Sequence, residues 1–290
     1  FMRIISHVLS AQDAMDGAGV KIKRHSLVRQ SLADPFLLLD EIRSDDQDDF
    51  IAGFPPHPHR GIETLTYMKQ GGIRHEDNMG NTGLVMSGGV QWMRAGRGVI
   101  HGEMPLKEHD SMHGFQLWIN LSGKNKMTPA DYRDVPVEEI PHVQSKGFLA
   151  HVIAGDWFLN EQTYHGPLDK LEANAHYLDL ELSEQGEFTQ KIPADHQVML
   201  LVYEGMIQAT GASGLQNIHA SQMVLFSEST TQQEGQAHEL KLSSESAGKV
   251  LILHGKPHKE PIANYGPFVM NTMEEIDQAI QDYQTGKLTE

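Results

Sequence analysis

The chain has 290 residues, with 23 Lys+Arg against 39 Asp+Glu, a formal net charge of −16, 17 histidines and no cysteine. That length accommodates two hydrophobic cores, the missing cysteines exclude a disulfide-stapled scaffold, and the acidic balance opposes direct nucleic-acid binding. No run reaches the ~18 apolar residues of a membrane helix, and the opening stretch, broken by Ser6, His7 and Ser10, does not read as a secretory signal. A cytoplasmic setting without membrane contact is the expectation, with Phe1 ahead of Met2 read as a cloning remnant.

Short β-branched or alternating segments bounded by Gly, Pro, Asn and Asp follow one another along the chain. They predict strands at Val20–Val28, Phe36–Asp40, Thr64–Met68, Val90–Met93, Phe115–Asn120, Tyr177–Leu182, Val198–Tyr203, Met223–Phe226 and Val250–His254. The basic run Lys21-Ile-Lys-Arg24 alternates with apolar residues and reads as a solvated strand face, and Asp45–Asp49 as a solvated acidic loop. Strands without intervening helices predict an all-β architecture of sandwiches or barrels. One helix is predicted, at the C-terminus: Thr272 and Glu275 have capping-box spacing, and Ile276, Ala279, Ile280 and Tyr283 then share a face.

The chain also repeats itself. A shift of 134 residues lays Tyr67–Gly71 over Leu201–Gly205, and Ser87, Val90 and Trp92 over Ser221, Val224 and Phe226. Two β domains are therefore expected, residues 1–134 and 135–290, joined by the proline-containing stretch Thr128–Pro141.

Two segments carry chemistry: Phe54-Pro-Pro-His-Pro-His-Arg-Gly-Ile-Glu63 and Gly96-Arg-Gly-Val-Ile-His-Gly-Glu103. Residues i and i+2 of a strand point to one side, about 6–7 Å apart. His57 and His59 share one face, and His101 and Glu103 share another. A lone His-x-His pair is most often structural, but two such pairs on facing strands can converge on one metal ion. Imidazole suits iron, zinc, copper or nickel, and a carboxylate with open positions favours Fe(II) oxygen chemistry. Pro58 suggests an edge or irregular strand, and Gly96, Gly98 and Gly102 allow the backbone to bend tightly beside the site. His75, Glu76, His113, Gln116, Arg60, Trp92 and Met93 are candidates for lining the cavity or orienting ligands, with structural roles equally open. No P-loop, nucleophile elbow or dinucleotide fingerprint occurs.

His-Pro-His-Arg-Gly-x-Glu-Thr, Gln91-Trp-Met-x-Ala-Gly-Arg-Gly-x-x-His101-x-Glu-Met-Pro105, Gln116-Leu-Trp-x-Asn-Leu121 and Tyr265-Gly-Pro-Phe-Val-Met-Asn-Thr272 resemble the pirin family of the cupin superfamily, as does Asp34-Pro-Phe-x-Leu-Leu-Asp40. The resemblance spans both halves. It implies a bicupin, two jelly-roll-like β-barrels face to face, with metal in the N-terminal barrel alone. It further implies one Fe(II) per chain held by His57, His59, His101 and Glu103, other divalent metals being able to enter purified protein. General cupins use the glutamate after His-x-His, which makes Glu63 the runner-up ligand.

The 134-residue shift carries the four metal positions onto Lys191, Pro193, Gly235 and Ala237, so the C-terminal barrel is expected to be metal-free. His196, His219 and His238 read as surface or hydrogen-bonded histidines.

The resemblance implies two functions from different classes. One is a quercetin 2,3-dioxygenase-type oxidoreductase, opening the central ring of a flavonol or similar aromatic hydroxy compound with O2 and releasing carbon monoxide. Glu103 would then be both ligand and proton acceptor. The other is an iron-dependent redox sensor that regulates transcription or a metabolic enzyme by binding a protein partner. A third outcome, iron kept in a structural role, follows from the range of chemistries one fold can host.

Overall fold

The computed structural model describes residues 2–227 and 236–290. All nine predicted strands are present, with the observed limits Val20–Ser26, Phe36–Ser44, Ile62–Gln70, Val90–Arg94, Met112–Asn120, His176–Leu182, Gln197–Glu204, Gln222–Phe226 and Gly248–Gly255. The chain divides into two compact units. One comprises Gln12–Arg29, Phe36–Val137 and His258–Glu290; the other comprises Phe1–Ala11, Gln30–Pro35 and Glu138–Pro257. Each contains a seven-stranded and a four-stranded antiparallel sheet, the two-layer arrangement by which β domains enclose a core.

In the unit that carries the His-x-His segment, the larger sheet runs Asp131–Val135, Val90–Arg94, Ile62–Gln70, Met112–Asn120, Phe36–Ser44, Val20–Ser26, Gln12–Asp16. The smaller runs Phe54–His59, Val99–Pro105, Gly72–Asp77, Thr82–Met86. Its apolar core includes Val20, Ile22, Ile42, Phe50, Met68, Ile73 and Val85. The other unit repeats the plan. Gln222–Phe226, Gln197–Glu204, Gly248–Gly255 and His176–Leu182 occupy the same order in its large sheet as Val90–Arg94, Ile62–Gln70, Met112–Asn120 and Phe36–Ser44 do in the first. Alternate residues of these strands, Leu178, Leu180 and Leu182, Val198, Leu200 and Val202, and Val250 and Ile252, form its core with Phe188, Ile192 and Trp157.

Three details differ from the sequence expectation. The stretch 128–141 is not a plain linker, because Asp131–Val135 pairs with Val90–Arg94 as the edge strand of the first large sheet. The division between units falls at Val137/Glu138 rather than 134/135, and the chain ends are exchanged. Ile5–Ser10 pairs with Gln222–Phe226, giving the C-terminal unit an edge strand that its own stretch of chain does not supply. The C-terminal segment in turn joins the N-terminal unit, where Arg60 donates through Nη1 to Asp282 at 2.8 Å and through Nη2 to the Leu288 carbonyl at 3.3 Å. The basic run is also more than a solvated face. Lys21 pairs with Asp49 at 2.6 Å and Lys23 with Asp13 at 2.9 Å, while Arg24 reaches inward to the buried Asp40.

The helix is Met273–Gln284, with both halves of the capping box formed between Thr272 and Glu275. Ile276 and Ala279 are buried against Phe268, Met270 and Leu288, and Ile280 is partly so. Tyr283 stays largely exposed.

Candidate metal centre

The smaller sheet of the N-terminal unit builds the site. His101 lies directly opposite His57 in the antiparallel pair of Phe54–His59 with Val99–Pro105, and Val99 lies opposite His59. The two-residue side-chain period then brings His57, His59 and His101 to one face. Their ring centroids are 4.9, 4.5 and 5.1 Å apart, and one ring nitrogen of each lies within 4.8 Å of the others. The register shifts between His101 and Glu103, which pairs with Phe54, and such a bulge re-aims side chains. Glu103 consequently groups with His101 and His75, again within 4.8 Å. Three of the four expected ligands converge directly, and Glu103 joins them through His101.

Of the glycines beside the site, Gly96 adopts φ +50°, which disfavours other residues, and at Gly98 a side chain would collide with the Leu288 carbonyl. Gly102 has ordinary room for a Cβ, so it is not required by close packing.

The nitrogens are arranged to accept a cation. His57 Nδ1 donates to the Pro55 carbonyl at 2.8 Å, which leaves Nε2 with its lone pair. His59 bonds the Pro267 carbonyl, and its buried Nδ1 finds no hydrogen-bond partner among the described residues. His101 Nε2 is orphaned in the same way. Leaving such groups unpaired costs about 1–3 kcal/mol each, a cost that metal coordination removes. Burial holds His59 and His101 well below the ordinary imidazole range, reinforced by the neighbouring histidines. Both are therefore neutral near pH 7, the form that ligates. Orphaned nitrogens and a nearby carboxylate fit a divalent transition metal.

Glu103 is held from the opposite sheet. Its Oε1 accepts from Thr66 Oγ1 at 2.9 Å and its Oε2 from Gln116 Nε2 at 3.0 Å. Thr66 and Gln116 lie directly across from each other in their strand pair, so both reach the same carboxylate. Trp118 packs edge-on against His59 at 5.2 Å and donates to Gln116 Oε1. His75 lies beside His101, with Nδ1 atoms 3.4 Å apart, contacts Asp77 at 3.2 Å and stacks on Tyr132 at 4.6 Å. A cavity bounded by Glu103, Gln116, Thr66 and Asp40 continues between apolar walls that include Ile42 and Met68.

The remaining candidates go elsewhere. Glu63 is buried one strand position out of phase with Thr66, and it joins no metal-binding cluster among the described residues. Glu76 is exposed. His113 bonds Glu41 at 2.8 Å. Arg60 anchors the C-terminal segment, Arg94 lies over the Trp92 ring, and Met93 is core. The Thr66 contact had no signal in sequence, because its 37-residue separation from Glu103 is bridged only by the closure of two sheets.

In the second unit, Lys191, Pro193 and Ala237 form no metal cluster among the described residues, and Gly235 lies outside them. His196, however, is not a bland surface histidine. It is buried beside His176 and His254.

These two units match known proteins. Residues 19–119 match the family model described as Pirin, and residues 177–289 match the Pirin C-terminal cupin domain. A Pseudomonas aeruginosa protein provisionally named a quercetin 2,3-dioxygenase is 44% identical over 99% of this chain and 98% of its own length. Human pirin is 34% identical over 98% of this chain and 93% of its own. The crystal structure of a quercetin 2,3-dioxygenase from Acinetobacter baumannii superposes with a TM-score of 0.87 at 31% identity, covering 99% of both chains. A histidine cluster in the first of two cupin domains, and likeness along the full length of both, lead to one assignment: the chain belongs to the pirin family.

Proposed function

We propose that the protein is an Fe(II)-dependent dioxygenase of the quercetin 2,3-dioxygenase type, acting on a flavonol or a related aromatic hydroxy compound. The observation that carries this reading is the convergence of three histidines beside a carboxylate that two side chains hold toward a cavity. His57, His59 and His101 would hold the metal, with Glu103 as the fourth ligand. A metal there would supply Lewis acidity to a phenolic oxygen.

The chain's own groups account for the rest. Glu103 accepts the proton of the substrate hydroxyl, its carboxylate fixed by Thr66 and Gln116 so that little reorganisation is needed. Ile42 and Met68 line the small cavity beside Glu103, and Trp118 donates to Gln116 and so fixes the amide that holds the carboxylate. For a flavonol the overall change balances. Both atoms of O2 enter the ring-opened product, the carbon bearing the hydroxyl leaves with its oxygen as carbon monoxide, and the proton taken up by Glu103 returns to the carboxylic acid formed.

Substituting Glu103→Gln tests the double role. We expect flavonol turnover to fall by about a hundredfold or more, on the scale of a lost general base. A variant that keeps iron and full turnover would remove Glu103 from the proton transfer.

A further inference from the structure

We propose a second transition-metal site in the C-terminal barrel, formed by His176, His196 and His254. The proposal departs from the expectation of a metal-free barrel. The 134-residue shift tests only the positions that match the first site, whereas these histidines lie at a different place in the fold.

The argument starts from strand phase. Leu178, Leu180 and Leu182 point into the core from one strand, Val198, Leu200 and Val202 from the next, and Val250 and Ile252 from the strand between them. His176, His196 and His254 each occupy the next position of that inward series, at the same end of three adjacent strands. His176 and His254 are direct cross-strand partners, and Val198 also lies opposite His254. The row of inward aliphatic side chains therefore ends in a layer of three imidazoles.

All three are buried, and one ring nitrogen of each lies within 4.8 Å of the other two. The rings of His176 and His254 stack at 4.2 Å, and His196 Nδ1 lies 2.8 Å from His254 Nδ1. His176 Nδ1 donates to the Asn174 carbonyl at 2.8 Å, fixing its tautomer and leaving Nε2 as the lone-pair nitrogen. Gly155 makes room for this ring, since a Cβ there would collide with it. Trp157 closes the site from the core side, its ring 5.1 Å from His254.

The donor set defines the ligand class. Three imidazoles and no carboxylate among the clustered groups suit zinc, nickel or copper rather than magnesium or calcium. Zn–N bonds of about 2.0–2.1 Å in a tetrahedron put nitrogens roughly 3.3 Å apart, so on binding the His196–His254 pair opens by about half an ångström and the His176 ring tilts out of its stack on His254. Burial holds all three rings below the ordinary imidazole value; His196 is down to about 4, with His176, Arg3 and Lys256 adding to burial and Asp195 opposing it. Arg3 also repels a metal cation, and the Asp195 carboxylate offsets part of that charge. The same sheet end in the N-terminal barrel already accommodates a cation. There Asn120, at the end of the strand that corresponds in order to Gly248–Gly255, accepts from the buried Lys126 Nζ at 2.7 Å.

The test is metal stoichiometry on the full chain, stripped with chelator, equilibrated with Zn(II) and freed of unbound metal. The wild type should retain about two Zn(II) per chain, and His57→Ala/His101→Ala about one. Adding His254→Gln or His196→Gln to that variant should abolish the remaining binding. In the His57→Ala/His101→Ala protein, Zn(II) should also shift the ring-nitrogen resonances of His176, His196 and His254, a readout that needs no change in the second site. Failure of that protein to retain Zn(II), or retention with those resonances unmoved, would overturn the proposal. Since the measurements on the His57→Ala/His101→Ala protein read only the second site, they stand apart from the outcome for the proposed dioxygenase.

Discussion

Glu103 depends on two neighbours from the opposite sheet, Thr66 and Gln116. Replacing Gln116 with Leu or Thr66 with Val removes one of the two bonds that aim its carboxylate. Metal affinity should fall about 10- to 100-fold in either variant, as for other losses of ligand support, measured by competition with a chromophoric chelator. Unchanged affinity in both would mean that Glu103 needs no such support. The buried imidazoles of the second unit make a separate prediction about pH. Burial first, then the adjoining rings and Arg3, holds His254 well below its ordinary value, and His196 is down to about 4. Their folded values lie under the unfolded value of about 6.5, so on acidification the unfolded chain takes up protons first. Metal-free protein should be fully stabilised by this effect above pH 6.5 and lose that stability toward about pH 4, by up to about 1.4 kcal/mol per pH unit for each ring that protonates only on unfolding. Urea midpoints across that range check it, and His196→Gln should flatten the slope; a slope unaffected by the substitution would contradict it. At this scale the His-x-His and His-x-Glu spacings are legible in the sequence because strand phase places such pairs on one side. The second cluster is less so. His176, His196 and His254 come from three strands, and only their common phase with the flanking Leu, Val and Ile residues marks them.

Strands that alternate or carry continuous aliphatic runs, such as Val198–Tyr203, are visible without a structure because both their faces are buried. The short strands of the smaller sheets are harder to read. Phe54–His59 contains three prolines between its ends and carries the metal-binding pair, so its chemistry shows before its conformation does. Asp131–Val135 alternates polar and half-buried residues in the manner of a loop, and it becomes a strand because Val90–Arg94 offers it an edge. The helix was legible from its cap. Thr272→Ala should cost about 1 kcal/mol in denaturant unfolding by freeing the Glu275 amide. Arg60 belongs to the same contact and is the more sensitive position. Arg60→Met would remove the charged partner of Asp282, which keeps the Gln278 amide, and the donor of the Leu288 carbonyl, and should destabilise the protein by about 2 kcal/mol. A loss below that of the cap variant would show that helix burial, with Ile276 and Ala279, suffices to hold the segment.

For the molecule as a whole, the internal repeat is visible in sequence through a few matched residues, and the identical strand order of the two large sheets accounts for it. The exchange of chain ends has no such signature. Ile5–Ser10 could pair with any open edge, and only the finished sheet shows that it completes the one ending in Gln222–Phe226. Removing residues 1–11 should therefore speed amide exchange in Gln222–Phe226 and leave Val90–Arg94, whose edge partner is Asp131–Val135, unchanged. Equal effects on both strands would contradict the assignment of that segment. The functional account rests on one chemistry at one end of this architecture. Protein stripped of metal, reloaded anaerobically with Fe(II) and mixed with quercetin should consume O2 in step with flavonol loss, and His101→Ala should abolish both. Full iron loading without oxygen consumption, or turnover that survives His101→Ala, would contradict the account.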